Sequence, residues 1–77
     1  MRPTKMTPKQ YRAAIDYLGL SQVRAGKFLG VTGRASQRWA LGESRVPEAV
    51  AILLRLMISL ELSPEEVQER IAKVKLN

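Results

Sequence analysis

The chain has 77 residues, 45% of them hydrophobic and 26% charged, with no cysteine and no histidine. That length and balance fit one small globular domain with a thin core, and the missing residue types exclude a disulfide framework, a thiolate or imidazole metal centre, a cysteine nucleophile and a serine–histidine pair. The net charge of +6 is unevenly divided: residues 1–47 hold nine Lys/Arg against only Asp16 and Glu43, a balance of +7, whereas residues 48–77 sum to −1.

Punctuation falls every ten to fifteen residues, the rhythm of short helices. Thr7-Pro8-Lys9-Gln10 opens the first, with Thr7 as cap, Pro8 at the first helical position and Gln10 closing a capping box. Tyr11, Ala14, Ile15 and Leu18 make its apolar face, and Gly19 is the left-handed stop. Ser21 caps a second helix reaching about Leu29, with Val23, Gly26 and Leu29 inward and Gln22, Arg24 and Lys27 outward. Gly30 ends it, and Thr32 follows almost at once as the cap of a third helix, about Gly33 to Leu41, stopped by Gly42. Two helices joined by so short a glycine-containing turn are the signature of a helix-turn-helix. In the third helix Ser36 and Trp39 face inward and Arg34, Gln37 and Arg38 outward.

Pro47 opens a fourth helix running to about Leu60, apolar nearly all round, which calls for cover on most faces from other helices or another subunit. Ser63-Pro64-Glu65-Glu66 is a second capping box, starting a C-terminal helix over 63–76 with Val67, Ile71 and Val74 as its stripe. No segment alternates as a strand would. The fold class expected is therefore all-α, a compact bundle of five short helices. The longest apolar stretch is cut by Arg55 and falls short of the ~20 residues of a membrane span, and no apolar signal segment follows the basic N-terminus. A cytoplasmic, nucleoid-associated protein is expected, with no membrane partner, metal, cofactor or small-molecule substrate.

A helix can lie in the major groove of DNA and present side chains to base edges when a neighbouring helix fixes its angle. Arg34 and Arg38, four residues apart, share a face at a cost of a few tenths of a kcal/mol that an anionic partner would offset. Each can bridge guanine O6 and N7, which makes them candidate base readers. The plainer readings are surface arginines or phosphate clamps without base preference, and for the whole basic half a solvated face.

The run from Leu20-Ser21-Gln22 through Gly30-Val31-Thr32 to Arg38-Trp39-Ala40-Leu41-Gly42-Glu43 resembles the Cro/phage-repressor-like (XRE-type) helix-turn-helix family. Over about residues 7–60 it is similar to a bacterial subset reading R-x-W-A-x-G-E followed by V-P, here Gln37-Arg38-Trp39-Ala40-Leu41-Gly42-Glu43 and Val46-Pro47. The resemblance implies a lambda-repressor-like domain and a transcriptional regulator, a repressor by analogy, that binds double-stranded DNA. It implies base reading by Arg34, Arg38 and Gln37, and backbone contacts from Ser21, Gln22, Lys27, Thr32 and Gly33. Gly33 falls at a base-contacting position of the family but has no side chain to read with. Three positions depart from the family pattern: Gly26 stands where alanine is usual, and Ala25 and Ser36 where larger apolar residues are. Weaker anchoring of the recognition helix would follow, which Trp39 could offset from the core; its alternative is an exposed ring stacking on nucleic acid.

Residues 1–6 read as a flexible basic arm, in which Arg2 and Lys5, with Lys9 at the start of the first helix, could follow the DNA backbone. The alternative is a plain tail. Residues 7–60 form the expected DNA-binding core. Val67, Ile71 and Val74 are the candidate interface of a homodimer that would set two recognition helices about 34 Å apart; otherwise they pack on the fourth helix of their own chain. The rival to a DNA-binding regulator is an antitoxin-like or other interaction module whose C-terminal helix binds a partner protein. A single-strand RNA reader would need exposed stacking aromatics, and an enzyme a convergent polar pocket. The cluster Glu65, Glu66 and Glu69 is explained by capping and the helix dipole.

Overall fold

Helices form here where a hydroxyl precedes the first turn. The computed structural model describes residues 5–76, which fold into α1 (Pro8–Tyr17), α2 (Gln22–Phe28), α3 (Gly33–Leu41), α4 (Glu48–Ser59) and α5 (Pro64–Ala72), with no strand among them. Thr7, Ser21, Thr32 and Ser63 each accept a hydrogen bond at 3.0–3.1 Å from the backbone N–H three residues on. Each such cap is worth about 1 kcal/mol. Thr7–Gln10 and Ser63–Glu66 are complete capping boxes. The bond from the Ser63 backbone N–H, with one from its hydroxyl, holds the Glu66 carboxyl below its ordinary value. α4 alone starts without a side-chain cap, from Pro47.

The ends are equally local. Behind α2 the Val31 N–H reaches back to the Gly26 carbonyl at 2.9 Å, with Gly30 between them at φ +75°, a backbone conformation open to glycine at little cost. α4 closes by the same pattern, Leu62 N–H to the Met57 carbonyl at 2.9 Å, but a non-glycine residue, Glu61, sits at φ +55°.

α1 is the centre of the bundle, packing on α2, α3 and α4, while α2 and α3 pack on each other. Small residues close the crossings: Ala25, Ala40, Ala51 and Ser36 are fully buried and Ala14 nearly so. Tyr11, Ile15, Trp39 and Leu54 fill the space between them. Small side chains at crossings let helix axes approach closely, so a thin core is still a dense one. None of the described helices is long and apolar enough to cross a membrane.

The five-helix architecture is as expected, with corrections in detail. Val23 does not face inward: it is 54% exposed, and Ala25 takes the buried place. The end of α2 is as expected, with Leu29 as its C-cap and packed against the core. α5 stops at Ala72 rather than near residue 76, so Val74 lies beyond it. The stripe expected there is split, because Val67 is buried whereas Ile71 is 61% and Val74 57% exposed. On α4 the described part of the chain buries Ala51, Leu54 and Met57 and partly covers Val50, Leu53 and Ile58, while Ile52, Leu56 and Leu60 stay exposed. Of the flexible arm expected over residues 1–6, Met6 is buried and the Lys5 carbonyl accepts from Arg55 Nη2 at 3.0 Å, while residues 1–4 lie outside the described residues.

Candidate nucleic-acid interface

Between Asp16 and Glu43 the sequence runs through Arg24, Lys27, Arg34 and Arg38 without a carboxylate. That run is the α2–α3 pair, and all four cations are exposed. The helical period sorts α3 into two faces. Ser36, Trp39 and Ala40 are buried, while Arg34, Gln37 and Arg38 project to solvent.

The inner face is fastened by contacts that link distant parts of the chain. The Tyr11 hydroxyl and Ser36 Oγ form a buried hydrogen bond of 2.6 Å. The ring of Tyr11 meets that of Trp39 edge-to-face, centroids 5.7 Å apart, a geometry worth about 0.5–1.5 kcal/mol beyond burial. Burial raises the Tyr11 phenol above its usual range, the bond to Ser36 partly opposing it. The Arg12 guanidinium, from α1, donates to the Ala40 carbonyl in the last turn of α3, where a cation also suits the helix dipole. Ser36 therefore does not loosen α3. Its hydroxyl replaces apolar bulk with a bond to a tyrosine from α1, and Trp39 is a core residue.

The crossing of α2 with the turn before α3 is set by Gly26. A Cβ there would stand 2.6 Å from the Thr32 carbonyl oxygen, closer than real side chains come, and 3.1 Å from the Gly33 Cα, itself a tight contact. At this crossing alanine would not be equivalent to glycine. Gly33 in turn lies against Val23, where a Cβ would find ordinary contact at 3.4–3.5 Å. The starts of α2 and α3 thus meet, bringing Ser21 and Gln22 to the same end of the pair as Thr32 and Gly33.

Of the backbone-contact candidates, Ser21, Lys27 and Thr32 are exposed, and Gln22 and Gly33 half-buried. The hydroxyls of Ser21 and Thr32 already accept from Arg24 N–H and Ala35 N–H, which leaves each with a proton to donate to an anion. Gln22 borders a shallow cleft with Arg12, Asp16 and Ser21. Lys27 lines a second cleft with Arg24, Phe28, Pro64, Glu65 and Gln68. Arg24 was not among the candidates, although its place in the carboxylate-free run was the signal that could have found it. Lys5 and Lys9 are exposed, on the first segment and on α1, and Arg2 lies outside the described residues.

Compared with protein-family models, curated proteins and solved structures, the chain matches none. What the surface can do follows from its chemistry: four cations in a carboxylate-free stretch of chain, of which Arg24 and Lys27 share their cleft with Glu65 of α5, an exposed amide on the same helix face as two arginines, and the unpaired N–H groups at the start of α3. Such a face suits a repeated anion with hydrogen-bonding edges beside it.

Proposed function

We propose that this protein is a sequence-specific double-stranded DNA-binding regulator in which α2 and α3 act as a helix-turn-helix, with α3 in the major groove. The observation that carries the reading is the sorting of α3: Arg34, Gln37 and Arg38 stand outward on a helix whose opposite face is locked by Tyr11, Ser36 and Trp39. Base reading needs a helix held at a fixed angle, and an exposed arginine there can grip guanine O6 and N7 together. Lys27, Arg24 and the start of α3 supply phosphate contacts, which set affinity and register without reading sequence. The family resemblance of residues 7–60 points the same way.

The test is selection of bound duplexes from a randomised DNA pool at physiological salt, since a protein of charge +6 binds any DNA at low salt by counterion release. Enrichment of a short motif supports the reading, and its loss on Arg34→Ala or Arg38→Ala ties the motif to α3. A pool that emerges without enrichment overturns it. One observation favours a second reading, a module that binds a partner protein: Ile71, Val74 and Leu76 are all exposed at the C-terminal end. That reading takes the lead if the DNA pool shows no preference.

A further inference from the structure

α4 carries apolar side chains on the side its own fold leaves uncovered. Ala49, Leu53, Leu56 and Leu60 stand four, three and four residues apart, the spacing at which two helices mesh along a seam. Ala49, Leu56 and Leu60 are exposed and Leu53 is half-buried, with Ile52, also exposed, along the edge. Between Glu48 and Glu61 the helix bears one charge, Arg55. Its guanidinium is turned away to the Lys5 carbonyl at 3.0 Å. The outer seam is thus apolar and free of charge in a protein with a net charge of +6.

We infer that this seam joins two copies of the chain, α4 against α4 in antiparallel pairing, and not the α5 stripe that the sequence suggested. The occupant is argued from size and charge. About a twofold axis midway between Leu53 and Leu56, Leu53 of each copy faces Leu56 of the other, and small Ala49 faces large Leu60, so the seam complements itself. Two copies of so basic a molecule meet with least repulsion through an uncharged face, and α4 packs chiefly on α1 rather than on the basic α2–α3 pair. The area limits the strength. A seam of four short side chains, one of them half-buried, covers well under the ~800 Å² per partner of a stable complex. The dimer is weak and forms as concentration rises, or when two copies bind side by side.

Sedimentation velocity on the full chain without DNA, over roughly 10–500 µM, is expected to show a monomer passing into a dimer. Leu56→Glu should weaken that association by about tenfold or more, while Ile71→Glu leaves it unchanged; circular dichroism establishes that both variants remain folded. Because the chain has no cysteine, a mixture of Leu53→Cys and Leu56→Cys chains should oxidise preferentially to the mixed disulfide. A wild-type chain that stays monomeric throughout, an association lost with Ile71→Glu but kept with Leu56→Glu, or a preference for like-with-like disulfides would each overturn the inference. The assay contains no DNA, so its outcome is independent of the duplex selection.

Discussion

The α2–α3 pair and α4 use opposite economies of surface. The pair is made of small residues and polar caps inside and presents cations outside; its fit depends on one glycine crossing and one buried hydroxyl pair. α4 is made of larger apolar residues, buries Ala51, Leu54 and Met57, and leaves Ile52, Leu56 and Leu60 half in water. A surface that must present side chains to a fixed target needs a rigid mount. An apolar seam needs only to stay straight and uncharged. Damage inside the pair should therefore cost folding and binding together, whereas changes on the outside of either region should cost one property alone.

Gly26→Ala presses hardest on that contrast. The added methyl meets the backbone at Thr32, so a loss of about 2–3 kcal/mol is expected in chemical denaturation, with DNA binding weakened in parallel. A variant as stable as the parent would mean that the α2–α3 crossing is not fixed by close approach.

On the outer face, Arg38→Ala should leave the melting temperature within error and cost about 1–3 kcal/mol on the preferred duplex, relaxing preference at one base pair. Lys27→Ala should weaken all duplexes alike and flatten the salt dependence of binding. Equal losses on selected and random DNA for both variants would remove base reading from α3.

Tyr11→Phe leaves the Ser36 hydroxyl buried without its partner, and a loss of about 1–2 kcal/mol follows. Adding Ser36→Ala should return much of it, since removing both polar groups of a buried pair is nearly neutral. The same tyrosine gives a pH signature. Its folded-state pKa is raised by burial, so its contribution is whole below the ordinary phenol pKa and is lost as pH rises through the folded value. A fall in stability above the ordinary phenol pKa that is steeper in the parent than in Tyr11→Phe is the expected result, read by chemical denaturation at a series of pH values.

The smallest effect is at the end of α4. Glu61 holds a left-handed backbone at φ +55°, and Glu61→Gly should stabilise the fold by about 0.5–1 kcal/mol without altering DNA affinity. A destabilised variant would show that the Glu61 side chain contributes more than its backbone costs.

Element starts and stops were legible because their causes are local. Thr7, Ser21, Thr32 and Ser63 bond to groups three residues on, and Gly19, Gly30 and Gly42 turn the chain where they stand. The outward set on α3 was legible for a related reason: once Trp39 and Ser36 are placed inside, the helical period puts Arg34, Gln37 and Arg38 outside. The end of α5 was less so, since no glycine stops it and every residue from Gln68 to Ala72 is exposed, so neither a turn residue nor packing marks the end in the sequence.

The amino-acid order by itself determined five helices, their caps, and a basic first half set against a near-neutral second. Only the tertiary structure decided that Tyr11 from α1 would hold Ser36, that Gly26 would lie against the Thr32 carbonyl, that Val23 would yield its buried place to Ala25, and that Leu56 and Ile71 would stay in water. The physical reason is range. A cap is satisfied within one turn of its own helix, whereas the burial of an apolar side chain depends on which face another helix, 20 or more residues away in the chain, comes to cover.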